Sequence, residues 1–186
     1  MKKFSIIASL IALLIASFAL PSFAEEGCDA NTDYLVLGHE QLEAEDFAGA
    51  LHSANCGISF DSESYEFFML RADVYCDMGM STESIADFSK AIEINPESAQ
   101  ALNYRGWAYY MAGDMEAAMA DLNHAIALDP SLHYAFNNRG LVWQAMGYPE
   151  LAKADFERAI ELGMEENWAT SNLYNVNFEI EKANQS

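Results

Sequence analysis

From residue 31 onward, small and apolar residues return at the same offsets in blocks of 34, and the blocks follow one another without insertion: 31–64, 65–98, 99–132 and 133–166. The third block carries Leu102, Gly106, Tyr109, Ala118, Leu122 and Ala125 and closes on Pro130. The second repeats the series with Phe68, Ala72, Tyr75, Ser84, Phe88, Ala91 and Pro96. The fourth has Phe136, Gly140, Trp143, Ala152, Phe156 and Ala159, with Met164 in place of the proline. The first is weaker: Tyr34, Gly38, Gln41, Ala50, Ala54 and Gly57, with Ser62 at the proline position. Steps of three and four inside each half-block mark one face of a helix. A fixed period of this length marks a stack of identical supersecondary units.

Punctuation divides each block into two helices. Gly79, Gly113 and Gly147 recur at block position 15, where a residue that tolerates positive φ ends the first helix at little steric cost. Ser81 and Asp114 follow as N-caps of the second helix, and Pro149 falls in a first turn, where its missing N–H is harmless. Asn95-Pro96 and Asp129-Pro130 close the unit, because the residue before proline is pushed out of helical geometry.

A polar series runs in the same register. Arg71, Arg105 and Arg139 stand at position 7, and Asp87, Asp121 and Asp155 at position 23. The first block has Leu37 and Ser53 instead. Joint presence and joint absence predict a structural ion pair that bridges the two helices of one unit. The other reading, an arginine row that recognises acidic ligands, is the weaker of the two.

Together these features resemble the tetratricopeptide repeat (TPR), a pair of antiparallel helices in 34 residues. The resemblance implies an all-α, right-handed α-solenoid of four hairpins. Residues 167–186 follow as a capping helix, with Trp168, Leu173, Val176 and Ile180 covering the exposed end of the last unit. It also implies a concave groove lined by the first helix of each hairpin, and hence a protein or peptide partner. The groove residues would be Asp73 at one end, then Asn103, Trp107, Tyr110, Tyr134, Asn137, Leu141 and Gln144. Amides suit the backbone of an extended segment, and Trp and Tyr suit an apolar anchor. Asp73 and Asp77 would attract basic residues of the partner. Members of the family that grip a terminal carboxylate need groove lysines or arginines, and this sequence has none at those positions. Two alternatives stand beside peptide binding: the aromatics pack under a neighbouring helix, or they join two copies in a homo-oligomer.

Charge narrows the partner further. With 29 Asp and Glu against 9 Lys and Arg, the net charge is −20, which excludes a nucleic-acid footprint. The leader of residues 1–24 reads as a secretory signal peptide of bacterial type: Lys2 and Lys3, a charge-free apolar run, then Ser22 and Ala24 before the cleavage point. Residues 25–30 form a short N-terminal segment. The expectation is a periplasmic or secreted protein. An uncleaved anchor, the one route to a membrane, is disfavoured because the run is shorter than the ~20 residues of a spanning helix.

In an oxidising compartment the three cysteines predict a Cys28–Cys56 disulfide, since an antiparallel hairpin brings the start of its first helix to the end of its second. Cys76 would remain a free thiol. His39, Cys76 and Asp73 form a conceivable nucleophilic set, but no local motif accompanies them and an inert thiol is the favoured reading. The four histidines show no ligand spacing, so no metal, cofactor or enzymatic activity is expected.

Overall fold

The computed structural model describes residues 27–164 and 166–184; the side chains of 166–169 fall outside that description. The leader and the Trp168 side chain therefore lie outside the described residues. The chain divides into two units, residues 1–32 and 33–186. Of the first, Asp29 organises a tight turn by accepting hydrogen bonds from the Asn31 backbone N–H at 3.2 Å and from Thr32 Oγ1 at 3.3 Å.

The second unit is an all-α solenoid. Its elements are α1 (Tyr34–Glu43), α2 (Phe47–Phe60), α3 (Tyr65–Asp77), α4 (Ser81–Ile94), α5 (Ala99–Ala112), α6 (Met115–Leu128), α7 (His133–Ala145), α8 (Pro149–Glu161) and α9 (Glu166–Ala183). Consecutive helices pair as hairpins, α1 with α2 through α7 with α8, and α9 lies on α8. Among the described residues there is no strand, and no helix is long and apolar enough to cross a membrane.

Chain reversal inside each hairpin depends on one backbone position. Gly79, Gly113 and Gly147 adopt φ of 72°, 84° and 81°. In the first hairpin Glu45 occupies the same place at φ 58° and bears the steric penalty of a Cβ in the left-handed region. Asp114 caps α6 by accepting from Ala117 N at 3.0 Å, and Ser98 caps α5 by accepting from Ala101 N at 3.1 Å. The expected cap at Ser81 is corrected. Met80 is the capping residue and Ser81 is already the first helical residue, so its hydroxyl lies one step too late to cap.

Packing explains why the hairpins need one another. One core cluster joins Phe68, Ala72, Phe88 and Ala91 of the second hairpin to Ala101 and Ala108 of the next first helix. The following cluster joins Leu102, Ala118, Leu122 and Ala125 to Ala135 and Val142. Each hairpin buries one face internally and the other against its successor, and each fully buried large side chain is worth about 1.5–3 kcal/mol. The register is visible at Val74, Ala108, Val142 and Val176, all fully buried and spaced by 34. Val176 belongs to α9, so this helix is the first half of a fifth unit. With Leu173 and Ile180 it covers Ala152 and Phe156 of α8. Among the described residues no second helix covers its outer side, and Tyr174 and Phe178 are 72% and 61% exposed. Small residues permit the close approach inside a hairpin. A Cβ added at Gly140 would lie 2.5 Å from the Phe156 ring.

Candidate functional site: the groove of the first helices

The arginine row is structural. Arg71 Nε donates to Asp87 Oδ2 at 2.6 Å and Nη2 to Oδ1 at 2.8 Å, a two-pronged pair between α3 and α4. Arg105 meets Asp121 at 2.7 and 2.9 Å, and Arg139 meets Asp155 at 2.7 Å through both prongs. The third nitrogen does something the sequence reading missed. Nη1 of Arg71, Arg105 and Arg139 donates to Asn55 Oδ1 at 2.8 Å, Ser89 Oγ at 3.0 Å and Asn123 Oδ1 at 2.7 Å. Each acceptor stands sixteen residues upstream, on the second helix of the preceding hairpin, so every arginine staples two units as well as two helices. An aromatic ring lies below each guanidinium: Phe68, Tyr109 and Phe136, with centroids at 5.5, 5.8 and 5.6 Å. The first hairpin has no such staple; Ser53 is hydrogen-bonded to Gln41 at 2.6 Å instead.

The predicted groove residues separate into three groups. Asn103, Trp107, Tyr134, Asn137 and Leu141 come together on α5 and α7. Trp107, Tyr134, Asn137 and Leu141 line one cavity of about 620 Å³, with His133, Asn138, Met164 and Asn172. A smaller contiguous recess holds Asn103, Tyr104, Trp107, Tyr134 and Asn138. Tyr134 is half exposed there, its ring 4.2 Å from His133. Two expected members line neither of these recesses. Tyr110 is partly buried against the cluster of Leu102, Leu122 and Val142, but its ring lies 5.3 Å from that of Trp107, so it stays beside the aromatic rim. Gln144 donates to Glu179 Oε1 at 2.9 Å and lines a separate recess beside Tyr174 and Phe178.

The amides need a second correction. Asn103 and Asn137 are buried, and their carbonyl oxygens are occupied: Asn138 Nδ2 donates to Asn103 Oδ1 at 3.0 Å, and Asn172 Nδ2 to Asn137 Oδ1 at 2.9 Å. Asn138 and Asn172 are functional neighbours that the sequence reading passed over, although two asparagine pairs spaced by 35 were the available signal. These bonds tie α5 to α7 and α7 to α9 and form a polar floor, leaving the aromatic rims of Trp107 and Tyr134 as the accessible surface.

Asp73 lies away from that floor, in a cleft of about 290 Å³ lined by Leu42, Asp73, Cys76, Asp77, Phe88, Tyr104 and Trp107. Burial, and then the charge of Asp77, push the Asp73 carboxyl up to about 7. Cys76 is a free thiol whose sulfur contacts Ser84 Oγ at 2.9 Å. Burial pushes its pKa up, opposed by the Ser84 hydrogen bond, and Asp73 and Asp77 push it further in the same direction. A thiol so disfavoured as thiolate is a poor nucleophile, and His39 is not among the residues lining the cleft. Cys28 and Cys56 are both disulfide-bonded.

This hairpin stack with a grooved first-helix face is the architecture of an interaction scaffold. Two tetratricopeptide repeat family models match residues 69–133 and 133–162, together half of the chain. The chain belongs to the tetratricopeptide repeat proteins. Among solved structures it is similar to the MamA protein, 24% identical with a TM-score of 0.66 over 82% of this chain and 85% of that one, which shares the fold. It is also similar to the first TPR of Spaghetti (RPAP3) bound to the HSP90 peptide SRMEEVD. That match is 28% identical with a TM-score of 0.60 over 64% of this chain and 95% of that one. A curated relative, the DnaJ homolog subfamily C member 3 of Gallus gallus, is 35% identical over 80 residues, 42% of this chain. The match spans only 16% of that relative's length.

Proposed function

We propose that this protein is an exported scaffold that holds an extended polypeptide segment across the first helices of its hairpins, without chemistry of its own. The observation that carries this reading is the aromatic-rimmed groove of Trp107, Tyr134 and Leu141 over an asparagine floor. Such a site offers a large rigid contact area at low entropic cost, which is what anchors a peptide side chain. Export rests on the leader at residues 1–24. A TPR relative solved with a peptide supports a polypeptide ligand, though not the same peptide. That ligand is acidic near its end, and among the described residues no lysine or arginine lines these two recesses.

Affinity capture from the envelope of the source cells tests it, with the protein beside a Trp107→Ala, Tyr134→Ala double variant of unchanged helicity. A partner kept by the parent and lost by the variant supports the groove. A partner held equally by both refutes it. Sizing of the same pair addresses the homo-oligomer, which predicts a lower mass for the variant.

A further inference from the structure

The geometry points to a seat for one basic side chain of the bound segment, a lysine or arginine, in the cleft between α3 and α5. This rests on the groove reading and specifies its acidic end.

Three features converge there. The first is a wider backbone spacing. The backbones of α1 and α3, α5 and α7, and α7 and α9 approach closely, whereas those of α3 and α5 stand further apart and are joined by the core cluster of Phe68, Ala72, Phe88, Ala101 and Ala108. The cleft lies in that space, with Asp73, Cys76 and Asp77 on the α3 wall, Tyr104 and Trp107 on the α5 wall and Phe88 between them. At about 290 Å³ it falls just below the ~300–1,000 Å³ of small-molecule sites and fits a single side chain.

The second feature is uncompensated charge. Among the described residues the arginines, Lys90 and Lys153 lie against acidic partners elsewhere, and Lys182 sits at the end of α9. Among the described residues no lysine or arginine lines the cleft. The desolvated Asp73 and the exposed Asp77 therefore stand one helical turn apart without a counter-charge from those residues. An incoming ammonium or guanidinium would gain a charge-assisted hydrogen bond to the carboxylates and the face of an aromatic ring. A metal ion is a poor alternative occupant, because Asp73, Cys76 and Asp77 do not bring three ligand atoms together.

The third feature is continuity. Trp107 lines the 620 Å³ cavity, the intervening recess and the cleft. A segment anchored at Trp107 and Tyr134 thus passes the mouth of the cleft on its way toward α3.

Titration adds a consequence. The groups around Asp73 are Tyr65, Cys76 and Asp77 on its own helix and Tyr104 on α5, while α1 and α4 contribute the apolar Leu42 and Phe88. With the carboxyl near 7, the seat is charged above neutrality and half neutral at it, so a basic segment is held more tightly at pH 8 than at pH 6.

The test is selection of nine-residue peptides from a random library on the full protein, on Asp73→Asn and on Trp107→Ala, followed by titration of selected peptides. The expected result is lysine or arginine enriched at one fixed position for the parent and lost for Asp73→Asn. Replacing that residue by glutamine should weaken parent binding about tenfold. Non-specific attraction to an acidic protein would instead enrich basic residues at every position and persist in Asp73→Asn. Peptides that need Trp107 but show no fixed basic position, or keep it with Asp73→Asn, overturn the seat and leave the groove standing. Failure of the parent to select any peptide that Trp107→Ala loses overturns both.

Discussion

Aspartates of two kinds occur on the first and second helices of this solenoid. Asp87, Asp121 and Asp155 each face an arginine at hydrogen-bond distance, with about a tenth of the side chain exposed. Asp73 and Asp77 line a cleft that, among the described residues, holds no lysine or arginine. Asp87, Asp121 and Asp155 recur with the 34-residue period and are buried, whereas Asp73 and Asp77 occur once, Asp73 desolvated and Asp77 exposed. The difference is whether the chain supplies the counter-charge. Where it does, the pair is spent on holding hairpins together; where it does not, a strained carboxyl remains that a partner can relieve.

The comparison breaks most visibly if a paired aspartate is removed. Asp121→Ala strands Arg105 among buried groups and should cost about 3–5 kcal/mol in urea unfolding. Ser53→Ala, at the equivalent place of the unstapled first hairpin, should cost no more than about 1.5 kcal/mol.

Asn138→Ala comes next. It lines the groove yet serves the fold, and its loss leaves the buried Asn103 carbonyl without its donor, for about 1–3 kcal/mol by the same measurement.

Asp73→Asn should act with the opposite sign. The carboxyl titrates near 7 in the folded chain against 3.8 when unfolded. The folded state holds its proton through that window, so the stability due to this group is full below about 4 and lost as pH rises through about 7. The variant should gain about 1–2 kcal/mol at pH 8, a discount on the full shift for partial solvation, and nothing at pH 4. Paired melts at the two pH values check it.

The smallest effect separates charge from backbone. Glu45 is unfavourable because of its φ of 58°, so Glu45→Gly should stabilise by about 0.5–1 kcal/mol at every pH.

Much of this was legible in the sequence because it repeats. The 34-residue period places Val74, Ala108, Val142 and Val176 in one buried row, and the sixteen-residue step places Arg105 opposite Asp121. The contacts of Arg105 with Ser89 and of Asn138 with Asn103 were harder to read. They join one unit to the next and depend on how hairpins stack, which a period alone does not specify. Gln144 on its separate recess and the partial burial of Tyr110 beside Trp107 were not legible for a related reason: a wide helical face includes both the groove and its flank, and only neighbouring helices decide which side chain is covered. Asp73 was recognised as acidic groove surface, but its desolvation follows from burial beside Leu42, Phe88, Tyr104 and Trp107 of other helices, a tertiary feature with no sequence marker.

Hydroxyl-radical footprinting of the protein with and without a captured partner segment tests the central claim most directly. Trp107 and Tyr134 line the groove, whereas Phe60, Tyr148 and Phe178 are exposed large residues that do not line its main cavity and serve as internal references. The account predicts that oxidation of Trp107 and Tyr134 falls when the segment binds while the three references stay unchanged. Protection of Tyr148 or Phe178, with Trp107 and Tyr134 still reactive, would contradict it.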